Sequence, residues 1–242
     1  MNRPSYARPE REQLERQSES LAPLRNKLLR QVQVATRQRI VDLGAGTGAV
    51  TGELVRRGAG QVLAVDSHPD FESLDPEPFA GAFRLRADAA KLPLQDASVD
   101  LVFCQLGLLW MDAPAVLDEV ARILTPGGAF VSIEPDVGGL IEHPPERALK
   151  DLWIRGLRTA GADPEIGRKV PGLLAERGLA PTVEVFAQVG PAGRDRFAML
   201  RGLPLAAEDA VRLATIAAMP QGKPWELFVW MPIFGVTARK PR

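Results

Sequence analysis

The stretch that decides the fold reads Val41-Asp42-Leu43-Gly44-Ala45-Gly46-Thr47-Gly48. An apolar run over 40–43 predicts a buried strand, and a helical pattern over 49–57 follows the glycines. The three alternating glycines have no Cβ, so the backbone can turn sharply there and a ligand can approach it closely. The stretch therefore predicts a strand, a glycine turn and a helix, with a ligand at the turn.

The glycine turn alone does not identify that ligand. Dinucleotide enzymes use the pattern G-x-G-x-x-G/A, and Ala49 satisfies its third small position. Asp66 lies 18 residues after Gly48, at the end of a predicted strand over 61–65. Its carboxylate can accept hydrogen bonds from both hydroxyls of a ribose, or it can cap the turn after the strand. The turn and the acid together predict a ligand that contains adenosine.

Short apolar runs alternate with helical patterns along the chain. This alternation predicts an α/β fold with a doubly wound, mostly parallel sheet and helices on both faces. Gly58 and Gly127 stand where a helix end favours positive φ. The predicted strands are 40–43, 61–65, 83–85, 99–104 and 129–134, the predicted helices are 49–57, 113–124, 145–160 and 165–177, and two last strands, 182–189 and 226–238, close the sheet.

Two segments are expected to cover the sheet domain, which spans 39–242. The first is an N-terminal cap, 1–38, in which a polar stretch precedes a helix capped by Ser20, with leucines at helical spacing from Leu21 to Leu28. The second is 190–224, a lid-like insertion with helical patterns over 195–201 and 206–219. A connection of that length between paired strands is more often a functional cover than a plain turn.

Four segments, in this order along the chain, resemble the class I S-adenosylmethionine (SAM) dependent methyltransferases, and the resemblance extends from residue 41 to 240. The stretches 160–168 and 235–241 resemble the members that act on small molecules. The fold that the resemblance implies has seven strands, the last of them antiparallel, and a helical cover. The four segments are the turn with Asp66, Arg86-Ala87-Asp88-Ala89 followed by Leu92-Pro93-Leu94, the strand Ser98-Val99-Asp100-Leu101-Val102, and 119–128, which ends in Pro126-Gly127-Gly128.

The resemblance implies SAM as the cofactor and S-adenosyl-L-homocysteine as its product. In such enzymes the acid at Asp88 accepts from the adenine amino group, and a basic residue of the cap reaches the cofactor carboxylate. Arg25 is our candidate for that role, Arg16 is the second choice, and a solvated charge is the alternative. The cofactor-binding residues that we predict are Arg25, Asp42, Gly44, Ala45, Gly46, Gly48, Asp66, Ser67, Asp88, Ala89, Gln105 and Leu106.

Methyl transfer from a sulfonium is an in-line displacement with a good leaving group, so alignment and exclusion of water supply much of the acceleration and no metal is needed. A base is required only where the acceptor atom carries a proton. His143 is the candidate catalytic base or substrate contact, and a surface loop is the alternative for it. Leu109 stands where many family members have a histidine, which disfavours a histidine-assisted O-methyl transfer at that position.

The predicted substrate pocket consists of Trp110, Glu134 and His143. Trp110 follows the fourth strand and could wall an apolar or aromatic acceptor. Glu134 and Asp136 end the fifth strand, where they could orient a polar or cationic acceptor or cap the next turn. The stretch after the fourth strand lacks the Asn-Pro-Pro-Tyr type of sequence, so we do not expect a nucleic-acid base or a peptide amide as acceptor.

The composition is that of an ordinary globular protein, with 45% hydrophobic and 25% charged residues and zero net charge. Residues 1–39 hold nine Arg or Lys against four Glu, which we interpret as a solvated helix face. One cysteine, no signal-like segment and no long apolar run predict a cytoplasmic protein without a membrane partner, and the balanced charge predicts no nucleic-acid partner. We expect a monomer or homodimer. Two alternatives to the methyltransferase stay open: a NAD(P)-dependent dehydrogenase and a non-catalytic SAM-binding regulator or scaffold.

Overall fold

The computed structural model describes residues 11–186, 190, 191, 195–220, 223 and 226–242. The described chain forms ten strands and eight α-helices. The strands are β1 Arg39–Leu43, β2 Gln61–Asp66, β3 Ala82–Arg86, β4 Val99–Gln105, β5 Leu124–Pro135, β6 Ile141–His143, β7 Ala180–Phe186, β8 Gly190–Pro191, β9 Phe228–Trp230 and β10 Ile233–Arg239. The helices are α1 Arg11–Ser20, α2 Ala22–Gln31, α3 Thr51–Arg57, α4 Ala113–Ile123, α5 Lys150–Thr159, α6 Ile166–Glu176, α7 Asp195–Arg201 and α8 Ala207–Ala218.

The central sheet has seven strands in the order β3-β2-β1-β4-β5-β10-β7. The pairs from β3 to β5 are parallel, and β10 runs antiparallel to both of its neighbours. The predicted α/β fold is therefore confirmed. Because the first five strands are parallel, their carboxyl ends share one edge of the sheet, which brings the glycine turn after β1 beside Asp66 at the end of β2.

A second, three-stranded sheet in the order β6-β9-β8 was not predicted. Its strands have two or three residues each, too few to show an alternating pattern. The predicted strand over 226–238 is in fact two, β9 and β10, separated by Met231 and Pro232. Pro232 has no backbone N–H to donate to a strand ladder, so it marks the break between the two sheets.

Both faces of the central sheet are covered, as the alternation of β4 shows. Val102 and Cys104 belong to the core under α4 to α8, whereas Leu101 and Phe103 belong to the core under α2 and α3. Successive strand residues point to opposite faces, so a continuous apolar strand indicates burial on both. Within the described part of the chain, no helix is both long and apolar enough to cross a membrane.

The N-terminal cap differs from its prediction. Residues 11–20 form α1 instead of an irregular stretch, and α2 begins after Leu21. Ser20 does not cap α2, since its hydroxyl donates to the Gln17 carbonyl at 2.7 Å. The predicted apolar face is confirmed, with Leu21, Leu24 and Leu28 buried. Residues 1–10 of the predicted cap lie outside the described residues.

Some basic residues of the cap form ion pairs with the sheet domain. Arg11 contacts Asp75 at 2.6 Å, and Lys27 contacts Glu184 at 2.6 Å. These contacts fasten α1 and α2 to the sheet domain. The interpretation of the basic excess as a solvated helix face stays a prediction.

Gly127 has the predicted positive φ of 78°, but Gly58 does not, since its φ is −76°. Gly58 is needed for a different reason. A Cβ there would lie 2.5 Å from Cδ1 of Ile40 and 3.0 Å from the Leu54 carbonyl oxygen. The glycine lets the end of α3 approach β1 closely.

The described residues of the predicted lid-like insertion contain α7 and α8, close to the predicted helices. Arg155 on α5 clamps α8 by donating two hydrogen bonds to the buried Asp209, at 2.6 and 2.9 Å. Arg212 on α8 pairs in turn with Asp151 on α5. Residues 192–194, 221, 222 and 224 of the insertion, and 187–189 of the predicted strand, lie outside the described residues.

Leu28 tests the packing of the cap on the sheet. It is fully buried, and its Cδ1 lies 2.8 Å from where a Cβ on Gly235 of β10 would be. We expect Leu28→Ala to lower the free energy of unfolding by about 2–5 kcal/mol, because it leaves a cavity between α2 and the sheet. Urea unfolding measures this.

The control is Val211→Ala on α8, where the side chain is 67% exposed. This change should stay within about 0.5 kcal/mol. Equal effects of the two substitutions would contradict the packing of α2 on the sheet.

Candidate functional site

A cavity of about 1250 Å³ opens at the carboxyl edge of the sheet. Its floor is formed by the ends of β1 to β5, and its cover by α1 on one side and by α5, α7 and β9 on the other. Residues far apart in the chain therefore converge on one space. The named wall residues include Gln17 and Ser18 of α1, Gly44 to Thr47, Asp66 to His68, Ala87 to Ala90, Gln105 to Gly107, and Trp153, Met199 and Met231 of the cover.

The glycine turn is held against β2 by the backbone. The Gly44 and Ala45 N–H groups both donate to the Val65 carbonyl, at 2.8 and 3.0 Å. Gly44, Gly46 and Gly48 all have positive φ, between 58° and 82°, which a residue with a Cβ rarely adopts. At Gly48 a Cβ would also lie 2.8 Å from Pro78 and 2.9 Å from Phe79. The alternation of glycines thus follows from the backbone conformation and the packing of the turn.

Asp66 orders the same turn from the end of β2. Its Oδ2 accepts from the Gly46 N–H at 2.9 Å, and its Oδ1 accepts from the His68 N–H at 2.9 Å. The second bond is the turn-capping contact, and the first ties the two loops together. Each carboxylate oxygen accepts more than one hydrogen bond, so Asp66, which lines the cavity, retains capacity for a ligand hydroxyl.

Asp42 lies beneath the turn and is almost fully buried. The Thr51 hydroxyl at the start of α3 donates to its Oδ2 at 2.6 Å. Burial raises the pKa of Asp42 to about 6, and the charge of Asp66 adds to the rise, while the Thr51 bond and the more distant Arg25 oppose it. Asp42 lines the cavity, so the glycine turn lies next to two acidic residues, Asp42 and Asp66.

The remaining residues of the predicted cofactor set, except Gly48 and Arg25, also reach the wall. Asp88 is exposed to the cavity, and its Oδ1 accepts from the Ala90 N–H at 2.9 Å, which leaves Oδ2 for a ligand. Leu106 has a φ of +55°, unusual for a residue with a side chain. The set on the wall is Asp42, Gly44, Ala45, Gly46, Asp66, Ser67, Asp88, Ala89, Gln105 and Leu106.

Comparison with known proteins agrees with this geometry. A family model described as "Methyltransferase domain" matches residues 41–132. An uncharacterized methyltransferase of Mycobacterium tuberculosis is 40% identical over 123 residues, which are 51% of this chain and 46% of that protein. The chain thus spans about half the length of the curated relatives that it matches first.

Solved structures extend the likeness to nearly the whole chain. The YcgJ protein of Bacillus subtilis superposes with a TM-score of 0.66 and 17% identity, over 90% of this chain and 97% of that one. Phosphoethanolamine N-methyltransferase 2 of Haemonchus contortus, in complex with S-adenosyl-L-methionine, gives 0.60 and 16% identity, over 91% and 53%. Residues 41–132 thus match a methyltransferase domain model, and the chain shares its fold with these two solved structures.

Arg25 does not line the cavity. Its Nε donates to Glu53 on α3 at 2.7 Å, and its Nη1 donates to the Ser18 carbonyl at 2.9 Å and to Gln105 Oε1 at 3.0 Å. Arg25 therefore joins the cap to the turn after β4, and its contact with a cofactor carboxylate stays a prediction. Arg16, the second choice, pairs with Glu12 on the same helix.

The three predicted substrate-pocket residues lie in three different places and do not form one pocket. Trp110 lies on the cavity wall. His143 is an exposed residue of β6, stacked on Phe228 of β9 at 5.3 Å between ring centroids, and it is not on the wall. Glu134 is fully buried behind the wall. A catalytic role of His143 stays a prediction that this placement does not support.

Glu134 holds the turn that follows β4. Its Oε1 accepts from the N–H groups of Gly107, at 3.1 Å, and Leu108, at 2.9 Å. Oε2 is buried and has no hydrogen-bond partner. Burial raises the pKa of Glu134 to about 8 although the backbone donors act to lower it, so the group is protonated at neutral pH. Its position at the end of β5 made Glu134 a candidate site residue, but nothing in the sequence indicated that it binds the turn after β4.

Among the residues that the structure describes, no group of three or more His, Cys, Asp or Glu side chains could hold a metal ion. Cys104, the one cysteine of the chain, is buried next to Glu134. Burial and the neighbouring Glu134 raise the pKa of its thiol well above the usual value. Cys104 is therefore an inert core residue at neutral pH.

The pH dependence of stability tests the assignment of Glu134. An unfolded glutamate loses its proton near pH 4.3, whereas folded Glu134 keeps it up to about pH 8. The folded state is thus penalised progressively as the pH rises from about 4 to 8, by at most about 1.4 kcal/mol per pH unit. We expect Glu134→Gln to remove this contribution, measured as the pH profile of the unfolding free energy of the variant against the wild type.

Glu134→Ala serves as the second variant. It leaves the buried Gly107 and Leu108 N–H groups without their acceptor, so we expect it to cost at least about 1–3 kcal/mol at pH 7, whereas Glu134→Gln keeps an acceptor oxygen. Parallel pH profiles of wild type and Glu134→Gln would show that the carboxyl is ionised in the folded protein.

Proposed function

We propose that this domain binds SAM and transfers its methyl group to a small-molecule acceptor, with S-adenosyl-L-homocysteine as the product. One observation carries the proposal: the glycine turn, Asp66 and Asp88 meet on the wall of one cavity. The charged side chains among the described lining residues are Asp42, Asp66, Asp88 and Asp112, accompanied by His68, and none is Lys or Arg.

The charge of this wall fits SAM better than a dinucleotide. SAM carries a sulfonium, an ammonium and one carboxylate, so it has a net positive charge, and acidic side chains attract its two cationic groups. The pyrophosphate of NAD carries two negative charges, and the described wall would place it among aspartates without a basic side chain. This argument favours SAM over the dehydrogenase reading, which the glycine turn and Asp66 left open. The Haemonchus structure of the same fold is a complex with SAM.

When bound, SAM supplies an electrophilic methyl group on its sulfonium. The residues of this chain position the cofactor and exclude water from the cavity. In this proposal Asp66 accepts hydrogen bonds from the ribose, and Asp88 accepts one from the adenine amino group. The turn at Leu106, held by Glu134, borders the space beyond them, and α1, α5 and α7 shield it from water. Alignment and exclusion of water account for much of the rate of such a displacement, so no base is required unless the acceptor atom is protonated.

The size of the cavity favours an enzyme over a SAM-binding regulator. A typical ligand pocket has roughly 300–1,000 Å³, and this one has about 1250 Å³. A second molecule therefore fits beside a nucleoside-sized cofactor. Tight SAM binding with no methyl transfer to any component of a broad metabolite extract, followed by mass spectrometry, would favour the regulator instead. A cytoplasmic location and a monomeric or homodimeric state stay predictions from the sequence.

Titration calorimetry with SAM and with NAD tests the cofactor, with Gly46→Arg as the blocking variant. Gly46 lies on the wall with a φ of +58°, so the arginine side chain fills the cofactor space and adds backbone strain. We expect the wild type to bind SAM and the variant to show no measurable binding.

Gly172→Arg is the matched control. Gly172 is exposed on α6, and a Cβ there would have no heavy atom within 4 Å, so SAM binding should be unchanged. Thermal unfolding of both variants separates lost binding from lost folding. Folded wild-type protein that binds NAD and not SAM would refute the proposed function.

Asp88 tests the adenine contact separately. We expect Asp88→Asn to weaken SAM binding by about 10-fold or more, because an amide would point a donor at the adenine amino group while its oxygen keeps the Ala90 bond. Stability should change little, since Asp88 is exposed.

Asp96→Asn removes a charge from a surface pair with Arg122, away from the cavity, and should leave the affinity unchanged. If both variants bound SAM as tightly as the wild type, Asp88 would not contact the adenine.

A further inference from the structure

The residues that line the cavity differ in polarity between the first and the second half of the chain. All of its charged side chains precede residue 113. Beyond that point every described lining residue is apolar. These residues are Ala115, Val116, Pro135, Val137, Trp153, Leu157, Phe186, Met199, Leu203, Val229, Met231 and Ile233.

Most of these apolar residues come from elements around the sheet, while Pro135, Phe186 and Ile233 belong to β5, β7 and β10 of the sheet itself, and none belongs to the glycine turn. Trp153 and Leu157 lie one turn apart on α5, and Met199 lies on α7. Together with Trp110 and Met111 they belong to one apolar cluster. Met111 reaches the turn itself, because its Cε lies 2.9 Å from where a Cβ on Gly44 would be. The apolar wall therefore begins at the glycines and continues under the cover.

The two acids that could have served a cationic acceptor point elsewhere. Glu134 is fully buried and bound to the Gly107 and Leu108 N–H groups. Asp136 is 4% exposed and pairs with Arg168 at 2.8 Å. Neither lines the cavity. A charged acceptor in this part of the cavity would lose its hydration without an opposite charge among the described lining residues beyond position 113, which is strongly unfavourable.

We propose that the acceptor is an uncharged molecule with an aromatic or hydrocarbon body, held between Trp110, Trp153 and Met199. This inference rests on the proposed function and narrows it to a substrate class. Aromatic and thioether side chains form adaptable contacts with such a body. The atom that receives the methyl group faces the turn at Leu106.

Three naphthalene derivatives of equal ring size test the class: 2-naphthol, which is neutral at pH 7, 2-naphthoate, an anion, and 2-naphthylmethylammonium, a cation. Their binding is measured by titration calorimetry on the full chain, with and without S-adenosyl-L-homocysteine. We expect saturable binding of one molecule of 2-naphthol, at least about 10-fold tighter than that of either charged analogue.

Met199→Lys places a charge in the wall at a partly buried position where a lysine can adapt. We expect it to weaken 2-naphthol binding by about 10-fold and to raise the affinity for 2-naphthoate relative to 2-naphthol. Val211→Lys is the matched control on α8, since Val211 is 67% exposed and outside the wall, and it should change neither.

The outcomes distinguish this inference from the proposed function. Equal or tighter binding of a charged analogue, or no effect of Met199→Lys on 2-naphthol, overturns the apolar acceptor even if the homocysteine product binds. Selective 2-naphthol binding that Met199→Lys abolishes, in a protein that binds neither SAM nor its product, supports the apolar site and overturns methyl transfer.

Discussion

The hydrogen bond from the Gly46 N–H to Asp66 Oδ2, 2.9 Å long, is the contact on which the site depends. It joins the loop after β1 to the loop after β2, which the parallel pairing of the two strands has already brought side by side. The two bonds to the Val65 carbonyl fix the same turn from below. The turn makes these three hydrogen bonds in a backbone conformation with positive φ at its glycines. A side chain at Gly46 would therefore disturb both the shape of the turn and the acid beside it.

This arrangement places carboxylates close together in a partly dry space, which has an electrostatic consequence. Asp42 is almost fully buried beside Asp66, and its raised pKa reflects the cost of ionising it there. A cationic ligand lowers that cost by attraction, so binding and ionisation of Asp42 favour each other. The described wall offers no Lys or Arg to do the same, because the one buried arginine nearby, Arg25, is paired with Glu53. The site is thus prepared for a cation before any ligand enters.

Local patterns predicted those parts of the molecule whose causes are local. The glycine turn, the parallel strands and the apolar face of α2 follow from spacing along the chain, and the resemblance added Asp88. Contacts between distant segments were missed. Arg25 lies close to the cavity, as expected, but Glu53 on α3 holds it, and no spacing signals that pair. Glu134 was recognised as an acid at a strand end, yet its partners, Gly107 and Leu108, follow another strand. The polar helix α1 was missed because its ion pairs, not an apolar stripe, hold it in place.

The division of the wall explains how one domain can keep its cofactor while its acceptor varies. The polar half is made by the ends of adjacent parallel strands, where the fold itself fixes the geometry. The apolar half is made by residues of α4, α5, α7 and β9, together with Pro135, Phe186 and Ile233 of the central sheet. A substitution on the cover, such as one at Met199, changes the surface that an acceptor meets without touching the hydrogen bonds that hold the glycine turn. The Arg155 to Asp209 clamp keeps that cover in place from outside the cavity. Under the proposed function, acceptor choice and cofactor binding are therefore separable in this chain.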